Sequence, residues 1–252
     1  MSLALITGAT GGLGKSLAKS LSKRGYRLIL SGKDEKSLRE LAKDHDAEWV
    51  VCDLSKDLSP LYRAIEKNKP DLLINNAGLG FYGTFESLPQ QEEMLDVNIK
   101  APVSLAMSFI SVLKKEKKTG ILLNVSSAAG YFSFPYFATY AASKSFLRSF
   151  SEAIDYELKD SGIRVLVAML GQVDTPFRER ASLGQFSKRD SSVIDVEKAA
   201  CALVNQIDKK KGLLIIDWRY RILVFLSRLL PKLWLYPILS RSILRRISVN
   251  PR

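Results

Sequence analysis

Histidine and cysteine are scarce in this chain of 252 residues, and their scarcity excludes several kinds of site. His45 is the only histidine, and Cys52 and Cys201 are the only cysteines. We therefore expect no Ser-His-Asp triad and no zinc site, which needs histidine or cysteine ligands at short spacing. His45 lies in a polar run and is expected to be solvated, whereas both cysteines are expected to be reduced, buried and inert. We predict no metal site.

The sequence also lacks the usual signals of export and membrane insertion. The N-terminus begins directly with a strand-like run, Leu3 to Ile6, without a charged segment or a small-residue cleavage site before it. Near the C-terminus the longest uncharged stretch is 233–240, far shorter than the ~18 apolar residues of a membrane span. With 46% hydrophobic and 25% charged residues, the composition is that of a packed soluble domain. We expect a cytoplasmic protein.

Acidic residues are missing from the C-terminal end. Residues 219–252 carry eight basic side chains and no acidic one, which leaves only +4 of the total charge of +12 for the rest of the chain. Pro231 and Pro237 are expected to break this segment into short helices. Its apolar positions follow helical spacing: Ile222, Phe225, Leu226, Leu229 and Leu233.

This basic amphipathic extension has three interpretations, which the residues leave open. It could contact a membrane surface peripherally through 219–247, cap a substrate pocket, or form a subunit interface. Nucleic acid is not an expected partner, because leucine and isoleucine rather than stacking aromatic residues alternate with the charges. We divide the chain into a domain over 1–218 and this extension over 219–252.

Short apolar runs alternate with helical patterns along the domain, which predicts an α/β fold. Leu13, Leu17 and Leu21 repeat at the spacing of one helix face. Parallel strands need crossover connections and are covered on both faces, so the alternation favours a Rossmann-like doubly wound parallel sheet. The seven predicted strands are 3–7, 27–31, 48–52, 71–75, 120–126, 163–169 and 213–216. Further helices are predicted over 35–43, 90–115, 139–161 and 196–206.

A glycine-rich turn joins the first predicted strand to the first helix. Glycines allow the backbone to approach a pyrophosphate closely, and the amides and dipole of the helix N-terminus stabilise its charge. The turn therefore predicts a dinucleotide site, although a tight strand-to-helix turn without a ligand would need similar residues. The expected contacts are Gly8, Thr10, Gly11, Gly12, Leu13 and Gly14.

The end of the second predicted strand favours NADP over NAD. An acidic residue at this place binds the adenosine ribose hydroxyls, whereas a basic one accepts a 2′-phosphate. The sequence here is Ser31-Gly32-Lys33, with a cation and no carboxylate. Lys33 is the predicted phosphate ligand, and a solvated surface lysine is the alternative.

Tyr140 and Lys144 are four residues apart in a helical pattern, so their side chains share one face. An ammonium group near a phenol favours the phenolate and lowers a pKa that is ~10 when unperturbed. Tyr140 is therefore a candidate general acid or base, and we expect Lys144 to lower its pKa.

Four motifs in order and at matching spacing give the chain a resemblance to the short-chain dehydrogenase/reductase family over residues 3 to about 216. The glycine turn is similar to T-G-x-x-x-G-x-G, 75–78 to N-N-A-G, and 140–144 to Y-x-x-x-K. Ser127 stands 13 residues before Tyr140, where the family has its catalytic serine. The chain departs from the pattern after the sixth strand, where Gly171 is not preceded by the usual proline.

The resemblance implies a role for each matching residue. Tyr140 would transfer the proton, Ser127 would bind the reacting oxygen, Lys144 would bind the nicotinamide ribose, and Asn98 would hold a water in a proton relay. The hydride would come from or return to the nicotinamide. The remaining cofactor contacts implied are Asp53, Leu54, Asn76, Val173 and Thr175. For Asn98 and Ser127 the structural alternatives are a satisfied core amide and a strand-end cap.

The loop between Ser127 and Tyr140 is rich in aromatic residues, from Tyr131 to Phe137. It predicts an apolar pocket for a hydrophobic carbonyl or alcohol, or else aromatic packing under the loop or in a dimer interface. Residues 177–192 are expected to form a lid.

The leading hypothesis is an NADP-dependent oxidoreductase that assembles as a homodimer or homotetramer. The alternative is a non-catalytic NADP-binding protein with a regulatory or membrane-interaction role.

Overall fold

Seven parallel strands form one sheet in the computed structural model, which describes residues 2–183, 193–227 and 232–244. The strand order is β3-β2-β1-β4-β5-β6-β7, so the predicted doubly wound fold is confirmed. The strands are β1 Leu3–Ile6, β2 Arg27–Gly32, β3 Glu48–Val51, β4 Leu72–Asn75, β5 Gly120–Ser127, β6 Ile163–Leu170 and β7 Leu213–Ile215. Each lies within one or two residues of its predicted position.

Helices connect the strands and cover both faces of the sheet. In β1, Leu3 and Leu5 face one apolar cluster, whereas Ala4 and Ile6 face the other, as the alternation of side chains along a strand requires. The helices are α1 Gly12–Ser22, α2 Glu35–Asp44, α3 Ser59–Asn68, α4 Gln91–Leu95, α5 Ala101–Lys115, α6 Ala138–Glu157, α7 Phe177–Ala181, α8 Val196–Asp208, α9 Trp218–Ser227 and α10 Lys232–Leu244.

The helix predicted over 90–115 is not uniform. A π-helical turn, Asp96–Lys100, separates α4 from α5. Together they form the one helix of the described residues that is long and apolar enough to cross a membrane, Gln91–Lys115, with a mean hydropathy of 1.3. Phe109 and Leu113 of its inner face are fully buried against the sheet, which is how the core helix of a packed domain behaves.

Two expectations about individual residues are wrong, and one helix was missed. Cys201 is exposed, because α8 turns its neighbours Ala199 and Ala200 toward the core and leaves position 201 outside. Pro237 lies inside α10 without ending it, since one missing backbone donor removes a single hydrogen bond of the helix. The helix α3 was not predicted. Cys52 is buried as expected, and burial raises the pKa of its thiol to about 11.

The carboxyl ends of the parallel strands meet at one edge of the sheet. The glycine turn follows β1, and Asn76 to Gly78 follow β4, the neighbouring strand on which the winding changes direction. Ser127 ends β5, and the loop from Gly171 to Thr175 follows β6. Ligands of doubly wound sheets bind at this switch point, so the fold brings the predicted motifs to the expected place.

Candidate active site

A cavity of about 470 Å³ lies at the switch point. Most of the predicted site residues contribute to its wall, whereas Asp53 and Asn98 are not part of it. The predicted residues that line it are Gly8, Thr10, Gly11, Gly12, Leu13, Gly14, Lys33, Leu54, Asn76, Ser127, Tyr140, Lys144, Val173 and Thr175.

The glycine turn is shaped by contacts that leave no room for side chains. Gly8 has φ +62°, and a Cβ there would lie 2.8 Å from Ala77 Cα. A Cβ on Gly14 would lie 2.3 Å from the Gly8 carbonyl oxygen, and one on Gly12 would lie 2.8 Å from Thr175 Cγ2. The turn therefore presents bare backbone to the cavity at the start of α1, which fits the diphosphate of a dinucleotide.

Thr7 and Asn76 fasten this turn to the neighbouring strand. The Thr7 hydroxyl oxygen accepts hydrogen bonds from the backbone N–H groups of Asn76 and Ala77, at 3.1 and 3.2 Å. The Asn76 amide donates in turn to the Thr7 and Gly8 carbonyls, at 2.9 and 3.1 Å. These bonds hold the dinucleotide turn in register with β4.

Lys33 stands at the end of β2 with two acidic partners. Its ammonium lies 3.0 Å from Glu93 Oε1 and 3.3 Å from Asp53 Oδ1. Partial burial opposes protonation, but the hydrogen bonds to Glu93 and Asp53 outweigh it and raise the pKa of Lys33. Asp53 also accepts hydrogen bonds from the N–H and hydroxyl of Ser55. The predicted phosphate ligand is thus a permanent cation that already has carboxylate neighbours.

Tyr140 lies on the buried face of α6, beside Ser127 at the end of β5. The Ser127 hydroxyl oxygen accepts a hydrogen bond of 3.2 Å from the Ala129 N–H, which orients the hydroxyl, and the side chain is also hydrogen-bonded to Tyr140. The Tyr140 ring stacks on Phe137 with 4.2 Å between ring centroids, and Phe177 packs at 5.7 Å.

The pKa of Tyr140 is opposite in direction to the prediction. Burial raises it above the ordinary value of 10, and the hydrogen bond with Ser127 lowers it by less. Lys144 does not offset the burial, since its ammonium lies 5.6 Å from the centre of the Tyr140 ring. The phenol is therefore neutral at pH 7, the form that can donate a proton.

Lys144 is buried one helical turn from Tyr140. Its ammonium donates a hydrogen bond of 3.2 Å to the Val125 carbonyl, and burial lowers its pKa to about 8. The backbone of Gly78 passes close by, because a Cβ there would lie 3.2 Å from Lys144 Nζ and 3.4 Å from Asn98 Oδ1. Gly78 thus allows the lysine head group and the Asn98 amide to come near each other.

Asn98 lies in the π-helical turn and has a fully satisfied side chain. Its Oδ1 accepts from the Leu79 N–H at 2.9 Å, and its Nδ2 donates to the Leu79 carbonyl at 2.8 Å and to Ser143 Oγ at 3.1 Å. Ser143 Oγ donates to the Tyr140 carbonyl at 2.7 Å. Asn98 therefore ties the loop after β4 to the helix that carries Tyr140 and Lys144.

The wall beyond Tyr140 is apolar and comes from three segments. Phe132, Phe134 and Phe137 line the cavity from the aromatic loop. Phe177 and Tyr82 add two more rings. The predicted apolar pocket is therefore present, and aromatic packing under the loop accompanies it, because Phe132 and Phe134 meet edge to face at 5.9 Å.

The C-terminal extension completes this wall. Tyr220, Leu223 and Ile243 line the cavity, and a Cβ on Gly171 would lie 2.4 Å from the Tyr220 ring. In the described residues the extension thus caps the pocket, one of the three interpretations left open by the sequence. Of the predicted lid, 177–181 form α7, and 184–192 lie outside the described residues.

Several residues of the site were missed from the sequence. Ser143 stands inside the Y-x-x-x-K motif, but its bonds to Asn98 and Tyr140 depend on contacts between distant segments. Glu93 reaches Lys33 across 60 positions of sequence. Gly80 could have been noticed as a further glycine after N-N-A-G, and a Cβ there would lie 2.9 Å from Tyr140 Cδ2.

Comparisons with known proteins identify the family of the chain. The family model described as short chain dehydrogenase matches residues 2–185. "Dehydrogenase/reductase SDR family member 7B" of Rattus norvegicus is 28% identical, with 98% of this chain and 83% of the relative covered. "Very-long-chain 3-oxoacyl-CoA reductase" of Kluyveromyces lactis is 31% identical, with 83% and 64% covered.

Solved structures share the fold. A short-chain dehydrogenase from Sphingobium yanoikuyae in complex with NADPH superposes with a TM-score of 0.80 at 24% identity, covering 90% of this chain and 94% of that one. The 3-ketoacyl-(acyl-carrier-protein) reductase from Brucella melitensis, complexed with NADH, gives 0.74 at 25% identity, covering 86% and 96%.

The fold and the cleft define an oxidoreductase with a nicotinamide dinucleotide site. The chain belongs to the short chain dehydrogenase family, as its motifs predict, and acts on an alcohol/carbonyl pair.

Proposed function

We propose that the protein reduces the carbonyl group of a hydrophobic, lipid-like substrate with NADPH, and that Tyr140 is the proton donor. The observation that carries the proposal is the meeting of Tyr140, Ser127 and Lys144 at a cavity whose far wall is aromatic. A cytoplasmic location and assembly as a homodimer or homotetramer stay predictions from the sequence.

Tyr140 supplies the proton. Its raised pKa keeps the phenol neutral, so it donates to a carbonyl oxygen that becomes basic as the carbon is reduced. Ser127 binds the same oxygen: the Ala129 N–H holds its hydroxyl oxygen in place, and its hydroxyl group, hydrogen-bonded to Tyr140 in the ligand-free site, would turn to donate to the carbonyl oxygen. Both groups act on the oxygen where negative charge develops.

Lys144 stabilises the phenolate that Tyr140 becomes. With a pKa of about 8 its ammonium is mostly protonated at pH 7, and the phenolate that forms on the same helix face gains a nearby positive charge. Asn98 and Ser143 position this helix against the loop after β4. We assign Asn98 a positioning role through these bonds, and a water beside it would link Lys144 to solvent.

The residues of the cleft fit a nicotinamide dinucleotide, which supplies the hydride when bound. The turn from Gly8 to Gly14 would hold the diphosphate, Leu54 and Asn76 the adenosine, and Val173 and Thr175 the carboxamide. Lys33 supports the choice of NADP(H), because it is the cation at the end of β2 where a 2′-phosphate would lie. Asp53 and Glu93 would share this cation with the phosphate.

The substrate class follows from the apolar wall. Rings from the aromatic loop and aliphatic side chains from the extension surround the space next to Tyr140, and such pockets select apolar ligands. The similarity to a very-long-chain 3-oxoacyl-CoA reductase supports an acyl chain as the apolar part. A long-chain 3-oxoacyl thioester or a long-chain ketone is therefore the substrate to try first.

The test is Tyr140→Phe, with loss of NADPH absorbance measured on 3-oxoacyl thioesters and on aliphatic and steroid ketones. Turnover should fall by about 10²- to 10⁴-fold, the usual contribution of a positioned acid, while NADPH binding measured by fluorescence is retained. Tyr131→Phe is the matched control, because Tyr131 lies outside the cavity wall and Phe keeps its ring over Arg148.

Two results would contradict the proposal. If Tyr140→Phe keeps wild-type turnover, Tyr140 is not the acid. If the wild type binds NADPH but reduces no member of the panel and oxidises none of the matching alcohols, the non-catalytic alternative replaces it.

A further inference from the structure

The first helix of the extension, α9, has two apolar faces. Tyr220 and Val224 point inward, to the cavity and to an apolar cluster with Phe132. On the other side Trp218, Ile222 and Phe225 follow the spacing of a single helix face and are 65%, 49% and 64% exposed. A helix needs only one apolar face to pack on its own domain, so the second face has no use within the described chain.

The second helix, α10, repeats this arrangement. Leu239 and Ile243 are buried, Leu239 in the same cluster as Val224. Trp234 and Ile238 lie on the opposite face and are 67% and 64% exposed. Both helices therefore pack on Phe132 through one side and expose large apolar side chains on the other.

Cations accompany the exposed faces. Arg219 and Arg221 are exposed on the two sides of the α9 face, and Arg241 is exposed one turn after Ile238 on α10. The sequence from 219 to 252 contains no acidic residue. Arg219 is ion-paired with Asp217 at 3.3 Å, whereas no carboxylate of the described residues pairs with Arg221 or Arg241. Apolar side chains beside this positive charge fit a surface that is apolar inside and anionic outside.

We propose that the exposed faces of α9 and α10 dock the protein on an anionic lipid bilayer. Two of the apolar residues are tryptophans, which favour the boundary between lipid head groups and acyl chains. The arginines would remain at head-group level, each strengthening binding about fivefold, equivalent to ~1 kcal/mol. A protein partner or a second copy of this chain would need acidic groups opposite the arginines, and the extension itself offers none.

Docking here would place the wall of the cavity next to the membrane. Leu223 of α9 and Ile243 of α10 belong to the cavity wall, so the helices that face lipid on one side border the substrate on the other. A lipophilic carbonyl compound could pass from the bilayer to Tyr140 without crossing water. This route rests on the proposed function, whereas the docking itself does not.

The test is co-sedimentation of the full-length protein with vesicles of phosphatidylcholine alone or mixed with phosphatidylserine. Binding should be strong only with the anionic mixture and should fall as salt is added. The triple variant Trp218→Ser, Phe225→Ser, Trp234→Ser should bind at least about tenfold more weakly, since it removes the three exposed aromatic rings that would insert among the lipids. The control is Met107→Ser, Tyr156→Ser, whose side chains are 68% and 72% exposed on the body of the domain.

NADPH titration shows that each variant is folded, and it separates this test from that of the proposed function. Equal sedimentation of the triple variant and the wild type would overturn the docking proposal, as would an equal loss in the control. Light scattering provides a further check. If the wild type is a dimer and the triple variant is a monomer, the exposed faces bind a second copy of the chain, and the proposal is overturned. Sedimentation that depends on lipid in a protein unable to reduce any substrate would support docking and leave only the substrate route without support.

Discussion

Replacing Lys144 by methionine should remove activity and make the ligand-free protein more stable. The ammonium group is buried with a single hydrogen bond, to the Val125 carbonyl at 3.2 Å. Its pKa falls from 10.5 to about 8, which means that the folded state disfavours the charged form that the unfolded chain carries at pH 7. Methionine fills a similar volume without a charge and has a comparable helix propensity.

The size of the effect follows from linkage. A shift from 10.5 to about 8 amounts to about 3 kcal/mol of destabilisation at pH 7, at ~1.36 kcal/mol per pKa unit. Loss of the bond to Val125 offsets about 1 kcal/mol of the gain. Lys144→Met should therefore raise the free energy of unfolding by about 2 kcal/mol at pH 7.

The direction in which the free energy of unfolding changes with pH follows from the same shift. Between pH 8 and pH 10.5 the unfolded chain binds more protons at this lysine than the folded one, so the wild type gains stability as pH rises. The penalty drops from about 3 kcal/mol at pH 7 to about 2 kcal/mol at pH 9. The advantage of Lys144→Met should shrink by about 1 kcal/mol over that interval.

The assay is urea unfolding of the ligand-free protein at pH 7 and pH 9, followed by circular dichroism. Lys114→Met on the exposed side of α5 is the matched control and should change the free energy of unfolding by less than about 0.5 kcal/mol. The reasoning is refuted if Lys144→Met is less stable than the wild type at pH 7, or if its advantage does not change with pH.

Two further changes test neighbouring parts of the cleft. Glu93→Gln removes one of the carboxylates that share Lys33, so the dissociation constant for NADPH should fall about fivefold, the value of a ~1 kcal/mol exposed ion pair. An equal change for NADH, which has no 2′-phosphate, would contradict this role of Lys33. Gly171→Ala places a methyl group 2.4 Å from the Tyr220 ring and should lower the free energy of unfolding by about 1–3 kcal/mol while raising KM for long-chain substrates. Unchanged thermal unfolding and unchanged KM would show that α9 can shift without consequence.

The fold could be predicted because its signals are local. Each core strand is a short run of apolar residues buried on both faces, as in β1 and β4, and such runs appear directly in the sequence. The glycine turn and the Tyr140–Lys144 pair are local signals of the same kind, and Ser127 followed from the family resemblance. Their placement around one cavity follows from the topology.

What could not be predicted depends on contacts between distant segments. The direction of the Tyr140 pKa shift is set by burial under Phe137 and Phe177, and no spacing rule measures burial. The acidic partner Glu93 of Lys33 comes from another helix. The pocket-facing side of the extension depends on how α9 packs on Gly171, so its amphipathic pattern alone was compatible with three different roles.

The two ionisable groups at the centre of the cleft are held toward neutrality by the same burial. It raises the pKa of Tyr140 and lowers that of Lys144, so the ligand-free site disfavours both the phenolate and the ammonium when each stands alone. In the proposed reaction Lys144 is already an ammonium at pH 7, so transfer of the phenol proton to a substrate oxygen creates a phenolate near an existing positive charge, and the attraction between them is strong in a poorly solvated site. The cleft therefore retains its proton until a carbonyl oxygen can accept it. Burial, which destabilises Lys144 in the resting protein, thereby strengthens its interaction with the phenolate during the reaction.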